Sequence, residues 1–409
     1  MRGTREAKSG NWSRAIVATL VIAVASLVAA ELSARWLFAL ETLQYRRPYQ
    51  PVFVSGDYHY LMPNERLPFV PGGPVAMGYR EGAFGFHYEP GTPAPRTTTS
   101  FADFLFAHGM SRYDAAEVDR ISCAQPDAAL VYVLGGSVAQ GFASYDRADT
   151  WHARLEQSLR RRLRRDDVYL FNAAMGAFVS LQERLAYHVA VAPRRSSLVL
   201  FVNGYNDVTI PANSGVRPGD PFQLGLRFSQ LYTDGFMWWL ARHSAIAHTV
   251  LQNAFNARVA EYRARLETDD EAFRRHAEAI ADTYIENMEE VLGACAARGQ
   301  ACLVAVQPAR SLTARHLGIE ADDILSQRRI VETYRLLLEK VAGSTYRDRF
   351  IDLTRIFDKG EKMQLYHDSV HPNFAGHGVM ATALLAPVLE ALRTARSVGP
   401  LANRCERLR

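Results

Sequence analysis

Two short motifs near opposite ends of the chain supply a hydroxyl, an imidazole and a carboxylate. Ser137 follows two glycines at the end of the apolar run ALVYVLGG. His371 lies three residues after Asp368 in the segment DSVHPN. An aspartate at this spacing can orient the imidazole through Nδ1, which leaves Nε2 free to take a proton from a serine hydroxyl. The three residue types therefore suit a nucleophile, its general base and the group that orients the base.

Two further motifs offer hydrogen-bond donors to a developing oxyanion. Gly176 in NAAMGA would present an unshielded backbone N–H, and Asn206 in GYND would present a side-chain amide. The backbone N–H of Ser137 would be a third donor. Taken singly, each motif also fits an ordinary structural role, such as a turn glycine, a turn-forming Asn-Asp pair or a solvated Asp-His loop. Their joint occurrence, in order along the chain and each beyond an apolar run, favours acyl transfer.

The elements that must position these residues alternate in type. Apolar runs rich in β-branched and aromatic residues predict strands, and amphipathic stretches between them predict helices. Strands are expected near 129–136, 168–172, 197–203, 302–306 and 349–353, and helices near 150–165, 181–191, 270–297, 324–341 and 376–394. Apolar strands that alternate with amphipathic helices predict a parallel sheet covered on both faces. The four motifs would then meet at the carboxyl edge of that sheet.

In these motifs the sequence resembles the SGNH hydrolases, also called GDSL esterases. The resemblance extends over residues 125–395 and implies an α/β fold, a flavodoxin-like three-layer α/β/α sandwich with about five parallel strands. The first block departs from the GDSL pattern, because Gly136 stands where the family has an aspartate. The whole layout resembles membrane-anchored bacterial members of the family, so we do not interpret this departure as a loss of activity.

The resemblance also implies a role for each residue of the four motifs. Ser137 would be the nucleophile, with His371 as its base and Asp368 as the orienting acid, and the oxyanion donors would be Ser137, Gly176 and Asn206. No metal and no organic cofactor are implied. A metal cluster of Asp368 with the histidines that flank His371, His367 and His377, is the alternative for this loop.

The expected function is a serine esterase that removes acyl groups, acetyl above all, from an extracytoplasmic glycan or a lipid-linked sugar. Two other functions remain open from the sequence. One is an O-acyltransferase that uses the same serine, with a sugar hydroxyl in place of water; the other is a non-catalytic, membrane-anchored module of polysaccharide assembly. A lipase or thioesterase acting on long acyl chains is a narrower alternative.

The N-terminus predicts a membrane anchor. Residues 15–40 form one apolar stretch, interrupted by Glu31 and Arg35, which would share a helix face and can pair. The basic side chains in residues 1–14 favour a cytoplasmic N-terminus, which places the rest of the chain in the periplasm, outside the inner membrane. A cleaved signal peptide is the alternative.

Three other segments complete the expected domain organisation. Residues 41–124 are rich in proline and aromatic residues and are expected to form an extended segment that packs on the body. Within the domain at 125–395, residues 209–262 are too long for a simple connection and are expected to form a cap over the site. Residues 396–409 are left as a C-terminal tail.

Charge and cysteine content limit the remaining possibilities. The formal net charge is +4, from 47 basic and 43 acidic side chains, which is too small to argue for a nucleic-acid partner. The basic run SLRRRLRRDD fits a solvated helix face, with anionic lipid as the alternative partner. Cys295 and Cys302 would either form a disulfide in an oxidising compartment or be two small buried residues.

Overall fold

The computed structural model divides into two compact units, which are described separately. It describes residues 9–41, 78–82, 85–89, 106, 113, 115–142, 144, 146–176, 178–214, 218, 244–317, 324–358 and 365–394. The N-terminal unit comprises Met1–His59 and Arg227–Arg258. The α/β unit comprises Tyr60–Leu226 and Val259–Arg409.

A five-stranded parallel sheet forms the centre of the α/β unit. Its strands are β3 (Ala129–Gly135), β4 (Val168–Asn172), β5 (Leu198–Asn203), β6 (Ala301–Val306) and β7 (Phe350–Asp352). They lie in the order β4-β3-β5-β6-β7, with every neighbouring pair parallel. This is the flavodoxin-like order, in which the chain reverses direction across the sheet next to β3. The predicted parallel sheet with flanking helices is confirmed.

The central strands form where the sequence predicts them because both faces of the sheet are buried there. Every residue of β3 and of β5 is buried. Successive side chains point to opposite faces, so Tyr132 and Phe201 enter one apolar core while Val131 and Leu200 enter the other. A strand buried on both faces needs a continuous apolar run rather than alternation, and ALVYVLG is such a run.

Helices cover the two faces as separate layers. The helices of the α/β unit are α2 (Ala115–Ala124), α3 (Ser137–Gln140), α4 (Trp151–Leu163), α5 (Ser180–Ala186), α6 (Tyr205–Ser214), α8 (Asp270–Ala297), α9 (Arg310–Leu317), α10 (Ile324–Gly343) and α11 (Phe374–Thr394). One core packs α4 and α11 against the sheet, through residues such as Leu155 and Leu384. The opposite core packs α2, α5, α8 and α10, through residues such as Tyr284 and Leu337. The result is a three-layer α/β/α arrangement.

Some elements differ from the sequence expectations. Helix α2 and a hairpin of β1 (Gly78–Gly82) and β2 (Gly85–Glu89) lie within the stretch expected to be extended. Helix α9 was not predicted. The expected cap at 209–262 begins inside α6 and ends inside α7 (Ala245–Thr268), so both of its ends are helical. Most of the cap between them lies outside the described residues, as does the tail at 396–409.

The disulfide left open by the sequence is present. Cys295 near the end of α8 is bonded to Cys302 in β6, with their Cα atoms 6.2 Å apart. Cys123 is also disulfide-bonded.

The N-terminal unit contains the apolar helix expected near the start of the chain. Helix α1 (Ser9–Glu41) includes a candidate membrane span at Arg14–Ala34, with mean hydropathy 2.4 and no part of it buried. Glu31 does not stand alone on this helix, because its carboxylate accepts hydrogen bonds from the Ser244 hydroxyl at 2.8 Å and from the Ile246 N–H at 3.2 Å. These contacts lie at the first turn of α7. The side chain of Arg35, its expected partner, lies outside the described residues.

Helix α11 also has the length and composition of a membrane span. One face of it packs into the core that it shares with α4, through Met380, Leu384 and Val388. It is therefore a core helix of the α/β unit.

Candidate active site

Ser137 is placed by a sharp turn between β3 and the short helix α3. Gly135 ends the strand with φ of 147°, in a region that favours glycine. A Cβ on Gly135 would lie 2.2 Å from the carbonyl oxygen of Val202 and 2.4 Å from Cβ of Ala139, so no side chain fits there. The turn brings Ser137 out at the carboxyl edge of the sheet as the first residue of α3.

Two buried side chains fix the position of α3 through hydrogen bonds to its carbonyl groups. The indole N–H of Trp151 donates to the carbonyl of Val138 at 2.8 Å. The Asn172 amide, at the end of β4, donates to the carbonyl of Ala139 at 3.0 Å. Both contacts satisfy carbonyls of a single-turn helix that has few partners of its own. The backbone that carries the serine is therefore fixed by residues from two other elements.

Asp368 and His371 lie on a loop between β7 and α11. The loop is closed by backbone bonds, His367 N–H to His371 carbonyl at 2.7 Å and Asn373 N–H to Leu365 carbonyl at 3.0 Å. Across the sheet edge, the N–H of Arg310 donates to the carbonyl of Ser369 at 3.0 Å. These bonds fix the loop on both sides of the Asp-x-x-His motif.

The hydroxyl, imidazole and carboxylate lie in one hydrogen-bonded row. Ser137 Oγ is 2.7 Å from His371 Nε2, across a sequence separation of 234 residues. His371 Nδ1 is 2.6 Å from Asp368 Oδ2. Because an ionised carboxylate only accepts, Nδ1 carries the proton and Nε2 accepts from the serine hydroxyl. This is the geometry that general-base activation of a serine requires.

The Asp368 carboxylate also receives two backbone bonds. Its Oδ1 accepts the N–H groups of Val370 at 2.9 Å and His371 at 2.8 Å. Partial burial raises the pKa of Asp368, but the His371 ring and these N–H groups outweigh it and hold the pKa well below the ordinary value. Asp368 therefore stays ionised at neutral pH and keeps the imidazole in one tautomer.

Gly176 and Asn206 lie beside the serine, as the sequence motifs suggested. A Cβ on Gly176 would be 4.0 Å from Cβ of Ser137. A Cβ on Gly136, the residue before the serine, would be 2.3 Å from Nδ2 of Asn206. The Asn206 amide donates one proton to the carbonyl of Phe178 at 2.8 Å and has a second proton to donate. The structure thus brings all five sequence-predicted site residues to one edge of the sheet.

Two neighbours of the site, Phe142 and Tyr205, were given no role in the sequence analysis. The Phe142 ring lies against the His371 ring, with centroids 4.5 Å apart. The Tyr205 hydroxyl donates to Ser369 Oγ at 3.4 Å, which links the start of α6 to the His371 loop. Burial raises the pKa of Tyr205, so this hydroxyl keeps its proton. Tyr205 belongs to the GYND motif, but nothing in the sequence indicated that it reaches the loop.

In the part of the chain that the structure describes, no group of three or more His, Cys, Asp or Glu side chains is arranged to hold a metal ion. His377 is fully buried, and its Nδ1 accepts the N–H of Trp151 at 3.3 Å. Burial is the largest cause that lowers the pKa of His377, to about 4, so its ring is neutral at pH 7. His367 contributes its backbone N–H to the loop closure. Their observed contacts are structural.

Comparison with known proteins decides the family. The model of the GDSL-like lipase/acylhydrolase family matches residues 133–379, more than half of the chain. The chain belongs to this family. As a GDSL acylhydrolase it is a serine ester hydrolase, and the matched range contains every site residue described above.

Solved structures of similar proteins are distant in sequence. An acetyl xylan esterase is 14% identical, with a TM-score of 0.40, over 63% of this chain and 99% of its own. The acetylxylan esterase Axe2 from Geobacillus stearothermophilus is 13% identical, with a TM-score of 0.38, over 64% of this chain and 94% of its own. A G-D-S-L family protein from Veillonella parvula is 12% identical, with a TM-score of 0.36, over 63% and 97%. No curated protein matches the chain.

Proposed function

We propose that this GDSL acylhydrolase is an extracytoplasmic esterase anchored in the inner membrane, which removes short acyl groups, acetyl above all, from a glycan or a lipid-linked sugar. One observation carries the catalytic part of the proposal: Ser137 Oγ, His371 Nε2 and Asp368 Oδ2 form a continuous row with separations of 2.7 and 2.6 Å.

The proposed chemistry follows from the roles that the geometry allows. As Ser137 Oγ bonds to the ester carbonyl carbon, its proton passes to His371 Nε2, and the carbonyl oxygen becomes an oxyanion. The N–H groups of Ser137 and Gly176 and the Asn206 amide stabilise that charge. The bond from carbon to the alcohol oxygen then breaks, and the leaving oxygen takes the proton from Nε2. Water repeats the sequence on the acyl-enzyme and releases the carboxylic acid.

The compartment and anchor are supported by separate observations. Helix α1 carries a candidate span, and disulfides of the kind formed by Cys295 and Cys302 persist in oxidising compartments. The substrate class is supported by the resemblance of the layout, one anchor followed by the hydrolase domain, to membrane-anchored bacterial members of the family.

The serine assignment is tested with the full chain purified in detergent. We expect wild-type protein to hydrolyse p-nitrophenyl acetate and to be labelled by a fluorophosphonate probe. Ser137→Ala should lower kcat by about 10⁶-fold and abolish labelling. Ser144→Ala is the matched control, because its buried hydroxyl donates to the carbonyl of Asp146 at 2.8 Å and takes no part in the row. Equal rates for wild type and Ser137→Ala would refute the assignment.

The substrate class is tested with the same preparation. We expect acetate release from acetylated polysaccharide and a rate on p-nitrophenyl esters that falls as the acyl chain lengthens. Appearance of the acyl group on an added sugar acceptor, instead of in water, would identify an O-acyltransferase. A rate that rises towards long acyl chains would contradict the short-acyl proposal and favour a lipase.

A further inference from the structure

Two consecutive residues at the start of α6 form hydrogen bonds with the segment that leads into α5. The Asn206 amide donates to the carbonyl of Phe178 at 2.8 Å. The Asp207 carboxylate accepts the N–H of Ser180, at 3.0 Å through Oδ1 and 3.2 Å through Oδ2. It also accepts the Ser180 hydroxyl at 2.5 Å. We call these contacts, from Asn206 to Phe178 and from Asp207 to Ser180, the clamp. The clamp holds the segment that follows Gly176 against the start of α6, so it links the backbones of two proposed oxyanion donors, Gly176 and Asn206.

The Asp207 end of this clamp is buried and anchored in a third element. Asp207 is 6% exposed, and Ser180 and Asn287 are as deeply buried. Asn287, on α8, donates through Nδ2 to Ser180 Oγ at 3.0 Å. Ser180 therefore donates to the carboxylate and accepts from the amide with the same hydroxyl. This chain of bonds ties α5, α6 and α8 together directly behind the site.

Burial is the largest influence on Asp207 and raises its pKa to about 6, although the Ser180 hydroxyl and N–H act in the opposite direction. Asp207 is thus mainly ionised at pH 7, and its bonds to Ser180 are charge-assisted, roughly twice as strong as neutral ones. The neighbouring Glu183 is fully buried, and burial and then the charge of Asp207 raise its pKa well above the usual value. Burial and the charge of Asp207 both favour the protonated form of Glu183, so Asp207 is the more readily ionised of the two buried carboxyls.

A second set of hydrogen bonds connects the end of β5 to α5 and α8 next to the clamp. The Asn203 amide, at the end of β5, donates to Glu183 Oε2. Asn203 Oδ1 accepts the Tyr284 hydroxyl of α8 at 2.8 Å. These bonds hold Asn203 in place independently of the clamp. The structural effect of losing the Asp207 carboxylate should therefore be confined to the short segment between Gly176 and Ser180.

We propose that Asp207 is a positioning residue of the oxyanion hole, which fixes the Gly176 segment against Asn206 by holding Ser180. This inference rests on the proposed function, since it assigns a consequence to the spacing of the oxyanion donors. Oxyanion donors act only when they are placed in advance at hydrogen-bond distance from the developing charge. A loosened clamp would leave the substrate bound as before and stabilise the transition state less. The defect should therefore appear in kcat and not in KM.

The test is a double-mutant cycle between Asp207→Asn and Asn206→Ala on full-length protein, with p-nitrophenyl acetate. Asn206→Ala removes a donor and should lower kcat by roughly 10²- to 10³-fold. Asp207→Asn should lower kcat by roughly 10- to 100-fold with KM within about twofold, less than loss of a whole donor. In the Asn206→Ala background, Asp207→Asn should lower kcat by a much smaller factor than it does in wild type. The effects of residues that act as a unit are not additive.

Glu156→Gln is the matched control for losing a buried carboxylate. Glu156 is 1% exposed and accepts the N–H of Leu170 at 2.8 Å, on α4 and away from the clamp. The Glu156→Gln variant should have a lower thermal midpoint of unfolding than wild type but should not show the selective fall in kcat. If Asp207→Asn does not fold, Ser180→Ala takes its place in the cycle, since it removes the hydroxyl and keeps the N–H. Ser180→Ala should give a smaller fall in kcat of the same non-additive kind.

Three results would overturn the proposal: kcat unchanged in the clamp variant, a fall fully additive with Asn206→Ala, or an equal fall in Glu156→Gln. A failure of the proposed function is recognised separately, because wild type and Ser137→Ala would then have the same rate before any clamp variant is compared.

Discussion

Asp368 performs two tasks with its two oxygens. One accepts the imidazole Nδ1–H at 2.6 Å, and the other accepts the backbone N–H groups of Val370 and His371. The spacing Asp-x-x-His allows this because the carboxylate lies over the turn that carries the ring. The sequence alone indicated the first task. The second uses backbone N–H groups two and three residues further along the chain, and it helps to keep the carboxylate ionised and in position before substrate arrives.

Gly136 marks the place where the sequence departs from the GDSL pattern, and the structure supplies a local reason. Its φ of −85° suits any residue, so a larger side chain is not excluded by the backbone. The obstacle is steric, because a Cβ would lie 2.3 Å from Nδ2 of Asn206. Motif comparison could not reveal this, since Asn206 comes from another strand end.

We expect Gly136→Ala to displace the Asn206 amide and to lower kcat towards the loss of one oxyanion donor, roughly 10²-fold or more. The measurement is steady-state hydrolysis of p-nitrophenyl acetate, with the thermal midpoint recorded alongside. Gly343→Ala is the matched control, because nothing lies within 4 Å of a Cβ there and the substitution should leave kcat unchanged. An active Gly136→Ala protein with wild-type kcat would show that Asn206 does not serve as a donor.

The sheet and most helices were predictable at the scale of the element, for an identifiable reason. Strands such as LVLFVN are buried on both faces, so composition and length are enough to recognise them. Helix α2 was missed because it follows a long proline-rich stretch that favours extended structure. Helix α9 was missed because its eight residues, RSLTARHL, are too short for a periodic pattern.

The contacts between elements were the part that the sequence could not provide. The GYND motif indicated Asn206, and its neighbour Asp207 suggested only a turn-forming Asn-Asp pair. That Asp207 binds Ser180 depends on how α5 and α6 pack against α8. Likewise, the link from Tyr205 to Ser369 joins residues 164 positions apart. Periodicity describes one element at a time, so it carries no information about such pairs.

The Cys295–Cys302 disulfide ties the end of α8 to the sheet and should act on stability more than on activity. Cys302 pairs with Val199 in the interior of the sheet, where ladder hydrogen bonds already hold β6 in register. Closing so short a loop is worth about 2 kcal/mol in the chain-entropy model. We expect the double variant Cys295→Ala/Cys302→Ala to lose about that much free energy of unfolding, with kcat unchanged.

The measurement is urea unfolding of the full chain, followed by fluorescence, for wild type and the double variant. Because Cys123 is also in a disulfide, reducing agent alone would not isolate this bond. Reducing agent added to the double variant reports the remaining contribution. An unchanged unfolding midpoint in the double variant would mean that the Cys295–Cys302 bond does not stabilise the folded chain.

At the scale of the whole molecule, α1 presents an exposed apolar surface of the kind that a candidate membrane span has. Ile16, Val17, Leu20 and Val24 are each more than half exposed. The span Arg14–Ala34 has 21 residues and would extend about 30 Å as a helix, the thickness of a bilayer core. A helix of this length that is apolar on every side is not stable as an isolated element in water. If residues 15–40 were instead a cleaved signal peptide, the mature protein would lack this helix and would not be anchored by it.

We therefore expect the mature protein to keep its N-terminus and to remain with membranes after an alkaline carbonate wash. In spheroplasts, a C-terminal tag should be digested by added protease, whereas an N-terminal tag should be protected, because basic residues precede the span. The double variant Leu20→Arg/Val24→Arg should release the protein or block its insertion, since each central arginine costs about 3 kcal/mol in membrane insertion. Loss of the N-terminal tag from active, soluble protein would instead establish cleavage, and the anchor would then be only a signal for export.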